Sequence, residues 1–299
     1  ATAVTLSMHY HLVCTQLWRH RRGLPGEALL RKVAADNVLL VSTGASDWVD
    51  SSGVVTRVEG GYRVSSRKSP ASGAPAGVVA ATSIAWPDAP DGPQVIHCSI
   101  PFASPGVSVE QTWDTMGLRG TGSDTIVFDN VFVPDAAVSL VRPAGVWHPL
   151  WDTVLGVAMP TIMAAYLGIA EAAASAAISF AQRHAAQAHV QAQVGELTNR
   201  LTLARDVVAA MVASVEDLQF TPSVGHTATV LSRKTVAAEA LIAVVRQAME
   251  ITGGAGFATG GVERLYRDVH GALYHPLPAD RRRPFSGRVA LGLDPVTGR

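Results

Sequence analysis

Ile251-Thr-Gly-Gly-Ala-Gly-Phe257, Val262-Glu-Arg-Leu-Tyr-Arg-Asp268 and Leu273-Tyr-His-Pro-Leu-Pro278 follow one another near the end of the sequence. A Gly-rich turn stops one helix, a charged segment starts the next, and an apolar His-Pro loop follows. Glycine lets backbone come close to a ligand, and a helix N-terminus offers free N–H groups to an anion. Before this stretch the pattern is helical from Trp147 onward. Leu197, Leu201, Ala204, Val208, Met211 and Val215 recur four and three apart, and Leu241, Val244, Val245, Ala248 and Met249 repeat the stripe. Thr221-Pro-Ser-Val-Gly225 breaks the two. Long amphipathic helices with short connections predict an antiparallel four-helix bundle over 144–299.

Upstream the period is two. Gly53–Val58, Glu59-Gly-Gly61 and Tyr62–Val64 read as strand, turn and strand, the Gly-Gly marking a hairpin. Val78–Ile84, Val95–Ile100 and Thr125–Val133 read as further strands, with three prolines keeping 87–93 irregular. Several short strands at near-regular spacing predict a small β-barrel or sandwich over 38–143. Residues 1–37 read as helix, a Gly23–Gly26 turn and a second helix over Glu27–Ala35. Leu6, Tyr10, Val13 and Leu17 form an apolar stripe from the outset, so the chain is expected to begin inside a helical domain. The fold class is therefore α+β and multi-domain, with a partial N-terminal helical segment, a β-domain and a C-terminal bundle.

Composition excludes some functions. The 299 residues carry no net charge, with 48% apolar and 16% charged residues, against the basic face that nucleic-acid binding needs. The runs His20-Arg-Arg22 and Arg281-Arg-Arg283 read as solvated turns or subunit contacts. Cys14 and Cys98 make no C-x-x-C pair and no disulfide framework, and cytoplasm is the simplest location. No apolar stretch reaches the roughly 20 residues of a membrane helix. The nearest, Val154–Ala177, is interrupted by Pro160 and reads as a buried helix pair.

The order helix, β-domain, bundle, with these motifs, resembles the acyl-CoA dehydrogenase superfamily of flavoproteins. Trp113–Asp124 before Phe128-Asp-Asn-Val-Phe-Val-Pro134 is similar to that family's Gly-Met/Leu-Arg-Gly segment and the strand after it. The resemblance covers nearly the whole chain, but most of the family's longer N-terminal helical domain is missing. It implies FAD or FMN between β-domain and bundle, and a homo-oligomer, dimer or tetramer. Ser72, in a loop similar to the family's G-x-K-x-x-x-S/T-x-A, would touch the flavin ring. Ser46, in a shortened T-E-P-x-x-G-S-D, would bond the flavin phosphate or ring edge, with Ser42 or Thr43 on the pyrimidine side. Gly253, Gly254 and Gly256 would meet the ADP half of FAD from a neighbouring subunit, and Arg183 its pyrophosphate. Each has a plain alternative: a Ser-Gly turn, a helix C-cap or a solvated arginine.

The catalytic question turns on a missing carboxylate. A dehydrogenase of this family removes the thioester α-proton with a glutamate, placed either near Ala158 or in the loop that here reads Tyr274-His-Pro. Neither place holds one. Glu171 and Asp152 lie near the first in sequence but out of register. Tyr274-His-Pro is instead similar to the flavin-monooxygenase branch, which includes dibenzothiophene monooxygenases. There the loop histidine lies by the flavin, so His275 is the leading candidate, neutral or cationic near pH 7. A second histidine comes from the N-terminal helix, and His9 and His11 both offer, two apart and so on different sides. No third ligand has metal spacing.

Three readings follow. The first is a monooxygenase using reduced flavin from a separate reductase and oxygen on a small organic substrate. The second is an acyl-CoA dehydrogenase passing electrons to an electron-transfer flavoprotein. The third is a non-catalytic, truncated family member kept as a subunit of a complex.

Overall fold

The computed structural model describes residues 1–44 and 47–299; Ser46, expected at the flavin, lies outside the described residues. Helix α1 (Thr2–His20) opens the chain, and a turn at 21–26 leads to α2 (Glu27–Asp36). The side that α1 buries is not the expected apolar stripe. Val4, Ser7, His11 and Thr15 are buried, whereas Leu6 is 37% and Tyr10 51% exposed. The polar residues can turn inward because they bond within their own helix: Ser7 Oγ donates to the Val4 carbonyl at 2.6 Å, and Thr15 Oγ1 to that of His11 at 2.7 Å. A hydroxyl satisfied locally escapes most of the cost of burial.

The middle of the chain is a sandwich of two four-stranded sheets. One carries β1 (Leu40–Ser42), β4 (Val79–Trp86), β5 (Gln94–Pro101) and β8 (Val138–Pro143) in the order β1-β4-β5-β8. The other carries β2 (Val54–Val58), β3 (Gly61–Lys68), β7 (Thr125–Pro134) and β6 (Val107–Glu110) in the order β2-β3-β7-β6. The β2–β3 hairpin pairs Val58 with Gly61, as the Gly-Gly turn predicts. Gly61 is required there, since a Cβ would lie 2.3 Å from the Val133 carbonyl oxygen. Val64, Ile84, Ile96, Ile126 and Phe128 fill the space between the sheets. Strands β1 and β6, of three and four residues, are too short to show a period of their own in the sequence, and β8, six residues long, is not among the strands expected from it.

The C-terminal part is built on α3 (Leu150–Ala181), α4 (Ala188–Ala213) and α5 (Val224–Phe257), with the shorter α6 (Glu263–Val269) and α7 (Ala279–Ala290) packed on α5. Helix α3 corrects one expectation. It runs unbroken through Pro160 for 32 residues, because burial along most of its length outweighs the single backbone bond that proline forfeits. With its following turn it is long and apolar enough to cross a bilayer by length and composition, yet it is the core helix of the bundle, packed against α1, α4 and α5. The Gly-rich turn kinks α5 at Gly253 (φ 52°, ψ −138°), and one further turn runs to Phe257. The basic runs are also more structural than expected. Arg22 binds the carbonyls of Leu218, Gln219 and Phe220, and Arg282 in α7 is buried.

Candidate active site

A cavity of about 430 Å³ lies where sandwich, α1 and bundle meet. Its size suits a small organic ligand or the ring system of a cofactor. Helix α1 contributes Met8 and His11, the segment after β1 contributes Gly44 and Trp48, and α3 contributes Trp151, Ala158 and Ile162. The fourth side is the stretch from α6 into the His-Pro loop, with Gly271, Tyr274 and His275. Two glycines let that stretch come close. A Cβ on Gly117 would lie 2.3 Å from the Arg267 carbonyl oxygen, and one on Gly271 would lie 2.5 Å from Tyr166 Oη.

His275 is held by a partner that the sequence did not suggest. Its Nε2 shares a 2.7 Å hydrogen bond with Tyr166 Oη from α3, 109 residues away, and the two rings meet edge to face at 5.3 Å. The tyrosine is wholly buried, and burial pushes its phenol well above the usual range, so it remains a hydroxyl. His275 is lowered to about 3, first by burial, then by the charge of Lys234 and by His11. His11 is lowered to about 4, mainly by burial. Its Nδ1 lies 3.3 Å from the Ser7 carbonyl, which can only accept, so Nδ1 carries the proton and Nε2 is left with a lone pair. The cavity thus holds two neutral imidazoles at pH 7.

The other histidine of the pair is used elsewhere. His9 Nδ1 accepts the backbone N–H of Leu40 at 3.1 Å, tying α1 to β1 away from the cavity. Thr43 is buried and bonds Thr82 Oγ1 at 2.7 Å, so its hydroxyl faces the sheet, whereas Ser42 lines the cavity. Ser72 does line it and heads a run of hydroxyls: Ser72 to Ser123 at 2.8 Å, Ser123 to Thr121 at 2.7 Å, and Thr121 to the Leu118 carbonyl at 2.9 Å. Arg183 is exposed just past α3, with its guanidinium 5.8 Å from the Phe180 ring. Gly253 and Gly254 are exposed and Gly256 buried at the end of α5, and none of the three lines the cavity.

Among the described residues no Asp or Glu lines the cavity. Ala158 and His275, the two places where the resemblance would put a glutamate, both do. Asp152 is a bundle pin instead, bonded by Thr227 at 2.5 Å and Trp147 at 3.1 Å, and Glu171 pairs with Arg205 at an exposed surface. Arg267, the cavity's arginine, is paired with Glu263 at 2.6 Å. Its walls therefore add no unbalanced charge.

These residues fit a flavin. Trp48, Trp113 and Trp151 offer ring faces, and Ser42, Ser72 and Ser123 offer hydroxyls. Trp151 also carries a buried indole N–H with no partner among the described residues, a donor that an acceptor on a bound ring could satisfy.

Residues 151–273 match the family described as acyl-CoA dehydrogenase, C-terminal domain. Amino sugar nitrososynthase DnmZ of Streptomyces peucetius is 30% identical over 97% of this chain and 75% of its own length. The chain belongs to the acyl-CoA dehydrogenase superfamily. The fold agrees across its length. KijD3, solved with FMN and dTDP-3-amino-2,3,6-trideoxy-4-keto-3-methyl-D-glucose, superposes with a TM-score of 0.87 at 24% identity, over 97% of this chain and 76% of that one. Dibenzothiophene monooxygenase TdsC of Paenibacillus sp. A11-2 shares the fold with a TM-score of 0.77 at 19% identity, over 97% of this chain and 79% of that one. Within the superfamily these relatives are on the monooxygenase-like side, as Tyr274-His-Pro suggests.

Proposed function

We propose that the protein is a flavin-dependent monooxygenase that transfers one oxygen atom to a small organic substrate, with the amine of a nucleotide-linked amino sugar as the first class to test. The observation that carries this reading is the cavity wall itself: two neutral histidines and no carboxylate, with both positions for a dehydrogenase's glutamate facing inward. The amino-sugar class rests on what DnmZ and KijD3 bind or act on. Flavin, as FAD or FMN, would lie between a β-domain (38–143) and the bundle (144–299), and residues 1–37 would be part of an N-terminal helical domain.

Bound flavin supplies the two electrons with which oxygen is split between product and water. The chain's own residues bind, orient and keep the site dry. Ser42, Ser72 and Ser123 would hold the ring edge by hydrogen bonds, and the three tryptophans would cover its faces and exclude water. His275, fixed by Tyr166, is a neutral hydrogen-bonding group rather than a resting cation. With Nε2 donating to Tyr166 Oη, its Nδ1 would accept an N–H of the substrate amine, and His11 Nε2 a second. Thr43, whose hydroxyl is bonded to Thr82, would serve the cofactor only by backbone or by rearrangement, and Ser46 would bond the flavin phosphate or ring edge. Arg183, Gly253, Gly254 and Gly256 would serve a flavin bound mainly by another subunit of a dimer or tetramer. Reduced flavin would come from a separate reductase, and the protein would work in the cytoplasm.

The test mixes the protein with chemically reduced FMN or FAD, then oxygen and a dTDP-amino sugar. A product one oxygen heavier, formed at the expense of reduced flavin, supports the reading. Bleaching of oxidised flavin by an acyl-CoA under anaerobic conditions would overturn it in favour of dehydrogenation. Protein that stays colourless after soaking with flavin would point to a non-catalytic subunit.

A further inference from the structure

Behind the His275 loop lies a lysine that the oxygen-transfer chemistry does not use. Lys234, on α5, has no exposed surface. Its ammonium donates to the Leu273 carbonyl at 3.2 Å, and among the described residues no carboxylate pairs with it. An ammonium has three donors, and a buried one ordinarily has a counter-charge. The contrast is Lys68, also buried, which is matched by Asp47 at 2.6 Å and by Ser51 and Ser52. Leu273 lies two residues before His275, and the charge of Lys234 reaches the His275 ring.

We propose that Lys234 is a positioning residue for His275: from behind the loop it anchors the Leu273–Pro276 turn through the Leu273 carbonyl and sets the charge that the imidazole meets. The ionisable groups around the pair come from four other elements. Arg282 on α7 repels Lys234, and His11 on α1 and Tyr166 on α3 face His275, with Asp268 on α6 acting on Tyr166. The charge of Lys234 opposes a second cation on His275 in so dry a place. The lysine holds the proton first, because its pKa is about 7 and that of His275 about 3. An ionisation seen close to neutrality in this site therefore belongs to the lysine and not to a histidine.

This inference rests on His275 being the functional histidine, and it is tested without flavin, substrate or turnover. The full chain is labelled with ¹³C at lysine Cε and histidine Cε1 and titrated by NMR from about pH 5 to about pH 9, with K234M and H275Q to assign the signals. One lysine signal should titrate near neutrality and vanish in K234M. The His275 signal should keep the shift of a neutral imidazole down to about pH 5, with a small secondary step near neutrality that follows Lys234 and is lost in K234M. A wild-type Lys234 signal that keeps its ordinary value, or a His275 signal with no step near neutrality in the wild type, overturns the proposal. Should K234M not fold, K234Q replaces it, and the wild-type lysine titration decides by itself. Failure of oxygen transfer with a normal titration would sink the proposed function and leave this inference standing.

Discussion

Replacing Lys234 by methionine should stabilise the folded chain at neutral pH and remove a slope in its pH dependence. The wild-type side chain is wholly buried, and burial first, then repulsion from Arg282, lowers it from 10.5 to about 7. Between those values the unfolded lysine holds a proton that the folded one does not. Stability therefore rises with pH from about 7 to about 10.5, and below about 7 the full penalty applies because both states are protonated. At about 1.4 kcal/mol for each pH unit, the penalty at neutrality is about 5 kcal/mol, an upper bound because the loop can relax. Methionine escapes it but loses the bond to Leu273, worth about 1 kcal/mol, so a net gain of up to about 4 kcal/mol is expected near pH 6.5. That is large beside a total stability of about 5–15 kcal/mol. The buried thiol of Cys98, pushed up to about 12, works in the opposite direction: its folded form keeps a proton that the unfolded form loses. The comparison must therefore be K234M minus wild type at each pH, which cancels the thiol. Urea unfolding at about pH 6.5, 8 and 9.5 measures it, and the gap should close by about 1.4 kcal/mol for each pH unit above 7. A gap independent of pH, or a methionine variant less stable at pH 6.5, would refute the reasoning.

Other changes test the site and the fold. Tyr166→Phe removes the hydroxyl bonded to His275 and should cost about 1 kcal/mol of stability but at least tenfold in oxygen transfer; equal turnover with reduced flavin would show that the ring needs no such partner. Gly271→Ala puts a methyl 2.5 Å from Tyr166 Oη and 2.4 Å from Leu118 Cδ1, and a thermal melt should show a loss of about 1–3 kcal/mol. Acidification should unfold the chain early. His11, His97 and His275, at about 4, 3 and 3, are neutral when folded, and their unfolded forms take protons below about pH 6.5. Stability should thus fall by up to about 4 kcal/mol for each pH unit between 6 and 4, and a circular-dichroism midpoint in urea that is flat over this range would count against it. Trp151→Phe keeps the ring face but deletes the unpartnered N–H. Flavin should bind several-fold more weakly by fluorescence titration, and unchanged affinity would leave that donor unexplained.

What the sequence revealed, and what it hid, follows from the range of each interaction. The β2–β3 hairpin, the long strands and the three bundle helices repeat a local period for eight residues or more, so a window along the chain sees them. Strand β1 has three residues and β6 has four, and no window can. Helix α1 was legible as a helix but not in its orientation, because Ser7 and Thr15 satisfy their own hydroxyls and may therefore face inward. His275, His11 and Ser72 were legible through motif order, while Tyr166 was only one aromatic in an apolar helix, with a partner 109 residues on. Gly117 and Gly271 are explained only by the folded chain, since each meets a close approach, to the Arg267 carbonyl and to Tyr166 Oη.

The electrostatics of the cavity bear on the remaining choice between oxygen transfer and dehydrogenation. Removing a thioester α-proton needs a base matched to the working pH. At about 3, His275 lies about four pH units below neutrality, which withholds about 5 kcal/mol of proton affinity relative to a matched base. His11, at about 4, does little better. Among the described residues the cavity wall offers no relocated base either: it has no Asp, Glu or Lys, and Lys234 is buried behind it. Oxygen transfer to a neutral amine makes no such demand: it needs a dry cavity, a held N–H and an imidazole that stays uncharged. Desolvation that disables His275 as a resting base is the same desolvation that keeps it neutral for that task.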